Sequence, residues 1–341
     1  MEEASSTDHL EMRMLHAINE AGKARLESPP NPWVGAVLET RSGLVVGHTR
    51  SPGSFHAEID ALERAGSDAR DSTLFVTLEP CSHHGKTPPC VDAIVKAGVS
   101  RVVIGVIDPD VRVRGKGIKF LGEHGIEVIV GVAEDAVKVQ LAPYLKQRAT
   151  GLPWVVLKMA ITLDGRIAAN DGSSNWITGE EARRRVQFLR AESDVITVGA
   201  NTIAVDDPRL TVRMSGAVRT PMRVVFGQIP PNAKVLPAQE FHGTPVEFVE
   251  SLGGGDTIQI LVEGGATIAK SFYDADLVDQ YVFHVAPAIH GGDDGISAFS
   301  GHGATTVNEL TRLVLKSVAT FGNDIEIIAW SRRASELIQS L

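Results

Sequence analysis

Apolar and polar positions alternate along the first 150 residues in two different periods. Leu10–Ala24 places Met14, Ala17, Ile18 and Ala21 three or four apart, the spacing of one buried helical face. Val34–Leu38 then reads as a strand, with Val45–Gly47 as its partner across the Arg41–Gly43 turn. Helix is predicted at His56–Ala65, strand at Thr73–Leu78 and helix at Pro88–Ala97. Val102–Ile107 is a continuous apolar run short enough for a buried strand. Helix Ile118–His124, strand Ile126–Val130 and helix Glu134–Gln147 complete this half. The polar, Gly- and Pro-containing stretch Arg148–Pro153 predicts a hinge.

Beyond it the pattern restarts. Trp154–Ile161 reads as a strand, Glu180–Ala191 as a helix, and Val195–Gly199, Arg223–Phe226 and Ile258–Val262 as strands. Helix Ala266–Tyr273 follows, then strands at Leu277–Ala286, Leu313–Ala319 and Asp324–Trp330. Gly253–Gly255 and Gly291–Gly295 read as flexible loops. The whole is an α/β chain of two domains, expected at 1–150 and 151–341.

Composition narrows the function classes. The 341 residues match two domains at ~100–200 each. The formal net charge is −9 and only 5% of residues are aromatic, so a nucleic-acid enzyme, with its basic groove and stacking aromatics, is not expected. No stretch of ~18 apolar residues predicts a membrane span, and the acidic start lacks a signal peptide's apolar core. A cytoplasmic protein with only two cysteines and no disulfide framework is expected.

Both cysteines fall where chemistry is suggested. His56-Ala57-Glu58 opens a predicted helix; Glu79-Pro80-Cys81 and Cys90 come later, flanking a loop. One imidazole and two thiolates suit zinc and leave its fourth position for water. Glu58, in the same helical turn as His56, then has the place of the proton shuttle in zinc deaminases, where His-x-Glu precedes Pro-Cys and a further Cys. The competing reading is two small buried apolar residues and a chance triplet. His83 and His84 are read as loop residues rather than ligands. Gly85-Lys86-Thr87 echoes a phosphate-binding loop but has Pro80 where the first glycine belongs.

The segment Glu79–Cys90, with Asn31-Pro32-Trp33-Val34-Gly35-Ala36-Val37 and Asp108-Pro109, closely resembles the deaminase half of bacterial bifunctional riboflavin-biosynthesis proteins. The resemblance implies a cytidine-deaminase-like three-layer domain that removes an amino group from a diaminopyrimidinone bearing ribosylamino 5′-phosphate. It further implies zinc on His56, Cys81 and Cys90, proton transfer by Glu58, and a substrate pocket lined by Asn31 and Lys86. Two departures stand out. Thr49 occupies a position often held by histidine, and Asp108-Pro109-Asp110-Val111 replaces the usual Asp-Pro-Asn-Pro. Both bear on substrate affinity or rate and not on the metal set.

In the second half no Gly-x-Gly-x-x-Gly follows a strand, so a Rossmann site is not expected. Glu263-Gly264-Gly265 instead joins a strand to a helix, where free backbone N–H groups attract an anion. Leu163–Arg166, Ser174–Thr178, Arg190–Asp194, Val198–Thr202 and Asp206–Arg213 resemble, in order and spacing, the reductase half of the same family, whose fold is similar to dihydrofolate reductase. This implies hydride transfer from NADPH to C1 of the ring-opened ribose. By resemblance Ser174, Arg190, Leu210, Arg213 and Glu263 contact the substrate, and both arginines suit its phosphate. Ala160, Trp176, Thr202, Asp206 and Gly265 contact NADPH. Arg183-Arg184-Arg185 is read as a solvated helix face. The family also implies a homodimer or homotetramer.

Overall fold

A computed structural model describes residues 2–83, 88–174, 177–214 and 220–341, and the chain separates into one unit running through Thr150 and another at Gly151–Ser340. The first contains α1 (Glu2–Ala24), β1 (Gly35–Thr40), β2 (Gly43–His48), α2 (Ala57–Ala65), β3 (Thr73–Leu78), α3 (Cys90–Ala97), β4 (Arg101–Val106), α4 (Lys116–Glu123), β5 (Glu127–Val130) and α5 (Glu134–Thr150). Its sheet runs β2-β1-β3-β4-β5, antiparallel through β1 and parallel from β3 onward.

Two glycines let helices approach this sheet from opposite sides. A Cβ on Gly35 would stand 2.0 Å from the Ala17 carbonyl oxygen of α1, and one on Gly47 would stand 2.4 Å from that of Ala57 in α2. Gly47 pairs with Ala36, so it faces the side opposite Gly35, because neighbours along a strand alternate faces. Helices thus cover both faces, giving three layers. Helix α3 starts at Cys90 rather than Pro88: Pro89 is its extended N-cap, and a residue before proline resists the helical region. Helix α5 continues through Arg148–Thr150, which narrows the expected hinge to Gly151 and its neighbours.

The second unit contains β6 (Trp154–Thr162), β7 (Arg166–Ala168), α6 (Glu180–Glu192), β8 (Val195–Gly199), α7 (Ala200–Asp206), β9 (Met222–Phe226), β10 (Gln239–Phe241), α8 (Pro245–Ser251), β11 (Gln259–Glu263), α9 (Ala266–Asp274), β12 (Gln280–Ala286), β13 (Ile296–Ser297), β14 (Leu313–Phe321), β15 (Asp324–Ser331) and α10 (Arg332–Ser340). Eight strands form the order β10-β9-β8-β11-β6-β12-β15-β14, all running one way except β15, which is antiparallel to both of its neighbours. Alternation along β6 sorts the two faces. Val155, Leu157 and Met159 pack with Ile268 and Phe272 of α9 and Phe248 of α8. Lys158 and Ala160 point the other way, toward α6. Elements such as α8 escaped the periodicity because seven residues hold too few turns to show one; α8 is fixed instead by a capping box between Thr244 and Glu247. Among the described residues no helix is long and apolar enough to cross a membrane.

Candidate active sites

His56, Cys81 and Cys90 come from three elements whose ends meet. His56 is the extended N-cap of α2, Cys81 follows β3, and Cys90 is the first residue of α3. Their ligand atoms lie within 4.8 Å of one another. His56 Nδ1 stands 3.6 Å from Cys81 Sγ and 3.3 Å from Cys90 Sγ. Nitrogen and sulfur bound to one tetrahedral zinc are held about 3.6 Å apart by their bond lengths, so the donor set fits that ion.

Local electrostatics favour thiolate at one of the two sulfurs. The Cys90 amide, at the N-terminus of α3, donates to Cys81 Sγ at 3.3 Å. Hydrogen bonding from Cys90 and from His56 brings the Cys81 pKa down to about 4, while Cys90, buried beside that charge, is pushed up. A metal must therefore displace a proton from Cys90. Glu58 is buried in the first turn of α2, and desolvation raises its carboxyl to about 7, a value at which it both accepts and gives up a proton near neutrality.

A carboxylate not singled out in the sequence holds this arrangement in place. Glu79, buried just before Pro80-Cys81, accepts from the amides of Gly117 at 2.9 Å and Gly115 at 3.0 Å, with Asp108 and Ile118 at 3.4 Å. A Cβ on Gly117 would come within 2.3 Å of the Pro80 carbonyl oxygen. In the same loop Asp108 accepts from the Tyr144 hydroxyl at 3.0 Å, and burial raises it to about 6. Asp110 is held at about 2 by Arg112. Asn31 lies in the turn after α1, and Thr49 is buried behind β2. Lys86 lies outside the described residues.

In the second unit a cavity of about 240 Å³ opens between β6 and α6. Of the residues named from sequence, Ala160, Ser174, Arg190, Arg213 and Glu263 line it. Arg190 and Glu263 form a bidentate pair at 2.6 and 2.8 Å, so the arginine's fork is taken up by the carboxylate. Burial alone would raise Glu263, but Arg190 and then Lys158 outweigh it and hold the carboxyl below its ordinary range. Arg213 is exposed at the mouth, its amide on Gln187.

Thr202 and Gly265 meet elsewhere, where the Gly265 amide donates to Thr202 Oγ1 at 3.3 Å. A Cβ on Gly264, which has φ 151°, would stand 3.1 Å from Ile268 and 3.3 Å from Thr202 Oγ1, so glycine keeps open a cradle at the α9 N-terminus. Such a cradle fits a dinucleotide phosphate. Ser174 donates to Asp206 at 2.9 Å, linking the two neighbourhoods. Leu210 is buried with φ 49° and does not line the cavity, and Trp176 lies outside the described residues.

One expectation is corrected. Of the three consecutive arginines, Arg184 is the solvated one. Arg183 lines the cavity and Arg185 donates to the buried Glu326 at 3.1 Å. Positions 183, 186, 187 and 190 share one helical face, and α6 lies with that face on the sheet. Lys158 also lines the cavity and was missed, because its strand reads as apolar and a single lysine in it carries no spacing signal.

The family model for the cytidine and deoxycytidylate deaminase zinc-binding region matches residues 7–106, and that for the RibD C-terminal domain matches 153–327. Riboflavin biosynthesis protein RibD of Chlamydia muridarum is 39% identical over 330 residues, covering 85% of this chain and 88% of its own. The chain belongs to the RibD family. Among solved structures, Acinetobacter baumannii RibD (form 1) superposes with a TM-score of 0.87 at 33% identity, covering 95% of this chain and 99% of its own. A Thermotoga maritima protein, described as a diaminohydroxyphosphoribosylaminopyrimidine deaminase/5-amino-6-(5-phosphoribosylamino)uracil reductase, gives 0.84 at 32% identity, with 96% and 99% covered. RibD membership accounts for both site neighbourhoods: the chain is a deaminase/reductase of riboflavin biosynthesis, with a zinc-binding deaminase domain and a reductase domain that uses NADPH.

Proposed function

We propose that this chain carries out two consecutive steps on one phosphorylated pyrimidine. The first is hydrolytic deamination of 2,5-diamino-6-ribosylamino-4(3H)-pyrimidinone 5′-phosphate, assigned to residues 1–150. The second is reduction of its ribosyl to a ribityl side chain, assigned to 151–341. The observation that carries the reading is the convergence of His56, Cys81 and Cys90 beside a buried Glu58 near its titration midpoint.

In the first step His56, Cys81 and Cys90 would hold zinc, which when bound makes water a nucleophile at neutral pH. Glu58 takes a proton from that water and returns it to the departing amine, a role its raised pKa suits. Asn31 and Lys86 would bind the ring and its phosphate-bearing side chain. The net change is one water consumed and one ammonia released.

In the second step NADPH supplies a hydride to C1 of the opened ribose. Ala160, Trp176, Thr202, Asp206 and Gly265 would hold that cofactor. Ser174, Leu210, Arg213 and Glu263 would orient the substrate, with Arg190 acting through its pair with Glu263. Arg213 and Lys158 supply positive charge for the phosphate and the ring. A homodimer or homotetramer is supported by β14, a sheet-edge strand that exposes Leu315 and Val318. A cytoplasmic site of action is supported by two free cysteines whose thiols the metal would need reduced.

The test is a coupled assay on zinc-loaded protein, reading ammonia release and NADPH oxidation together. Glu58→Gln is expected to lower ammonia release about 10²–10⁴-fold. NADPH oxidation should return when the deaminated pyrimidine is supplied directly. Full ammonia release by Glu58→Gln would overturn the assignment.

A further inference from the structure

Two polar groups in the second unit are left incompletely partnered by the contacts described so far, the half-buried Lys158 and the buried His284. Lys158 makes no hydrogen bond or ion pair among the described residues, although it lines the cavity beneath α6. His284 on β12 is 0% exposed, with Nε2 2.9 Å from Glu326 Oε2 and Nδ1 without a partner among the described residues.

The position of the imidazole proton follows from Glu326. Burial works to raise that carboxyl, but the hydrogen bond with His284 and the charge of Arg185 prevail and keep it ionised. An ionised carboxylate only accepts, so His284 donates through Nε2–H and leaves Nδ1 as a bare acceptor. Burial also lowers the imidazole's pKa and keeps the ring neutral.

Register places the two orphans side by side. His284 pairs with Ala160 on one side and Glu326 on the other, while Val282 pairs with Lys158. Residues two apart on a strand share a face, so Lys158 and His284 are diagonal neighbours on the α6 side of β6 and β12, within reach of a lysine stem. The Lys158 charge contributes to depressing His284.

We propose that His284 is a positioning residue for Lys158: its bare Nδ1 accepts a hydrogen bond from the ammonium as the lysine swings along the cavity floor, keeping that group charged and directed at the ligand. The other charges facing this pair are Glu263 on β11, Glu326 on β15, and Arg183, Arg185 and Arg190 on α6, with Arg213 at the cavity mouth. Arg190 repels the ammonium, while Glu263 and Glu326 attract it but are already hydrogen-bonded to Arg190 and to His284 with Arg185. Nδ1 is the acceptor beside Lys158 that has no partner among the described residues. The ligand's identity rests on the reductase reading; the pairing itself does not.

The test reads the lysine directly. Full-length protein without NADPH is treated with a small amine-acylating anhydride over a pH series, and the extent of Lys158 acylation is followed by mass spectrometry. His284→Phe is expected to lower the Lys158 midpoint by about one unit, tenfold in proton affinity. His284→Asn, which keeps an acceptor at the δ position, should restore most of it, and the alkaline limb of reductase kcat/KM should move in step. Melting temperature and deaminase activity serve as folding controls. An unchanged Lys158 midpoint in folded His284→Phe overturns the proposal. Should that variant not fold, His284→Leu supplies the same test, with a lower midpoint expected and an unchanged one fatal. A midpoint that moves without any change in the reduction profile supports the pairing and overturns the reductase reading of the cavity.

Discussion

Asp108→Asn tests how the loop after β4 stores charge. Asp108 is 5% exposed, and burial raises its carboxyl from 3.8 to about 6. An acid whose folded pKa is raised adds stability below its unfolded pKa and loses it as pH rises through the folded one. Relative to the neutral carboxyl, the ionised form costs about 1.6 kcal/mol at about pH 5 and about 3 kcal/mol at about pH 7.5. Asparagine keeps the geometry: its oxygen accepts from the Asp110 amide, now 2.9 Å away, and its amide faces a Tyr144 hydroxyl that can turn to accept. The variant should thus be more stable than the parent at neutral pH, and its advantage should grow by about 1.4 kcal/mol between about pH 5 and about pH 7.5. Urea unfolding followed by circular dichroism across that range measures the difference, with terms common to both proteins cancelling. A difference that stays flat with pH, or a parent that gains as pH rises, would refute the account of Asp108 as a desolvated acid.

Three further outcomes are expected. Cys90→Ser should lose bound zinc and deamination while keeping NADPH-dependent reduction, and zinc addition to the parent should release at least about one proton per ion, from Cys90 and in part from His56, whose pKa is raised, read with a pH indicator near neutrality. Arg190→Ala leaves Glu263 charged and unpaired in a buried setting and should cost about 3–5 kcal/mol, whereas Arg190→Met with Glu263→Leu should cost markedly less; thermal unfolding compares them. Gly35→Ala drives a methyl group into the Ala17 carbonyl of α1 and should cost about 1–3 kcal/mol or more, seen as a lower midpoint in urea.

The regular elements were legible wherever an apolar period ran long enough to be read, and β3 is found at its expected bounds. The metal-capable cluster was legible for a different reason: two cysteines and two His-x-Glu triplets, at His9 and His56, in a chain of this size leave few ways to combine them. Glu79 was not legible, because its role depends on amides some 30–40 residues later. Lys158, His284 and Glu326 escaped for the same cause, since each gains meaning only from strand order, and β6, β12 and β15 are adjacent in space but distant in sequence. The fork of Arg190 was matched to a phosphate on shape alone, and shape does not reveal that a carboxylate already occupies it.

The carboxylate at Glu79 binds the backbone of the 108–118 segment, and backbone amides are indifferent to the side chains they carry. Apart from Gly117, where a Cβ would strike the Pro80 carbonyl oxygen, and Gly115, with φ 73°, that segment is free to exchange residues, as Asp110 and Val111 do here, without disturbing the sulfur two positions downstream of Glu79. It is not free to change length. Inserting or deleting one residue would slide every amide out of register with a fixed acceptor, so natural drift along this stretch should be rich in substitutions and poor in gaps.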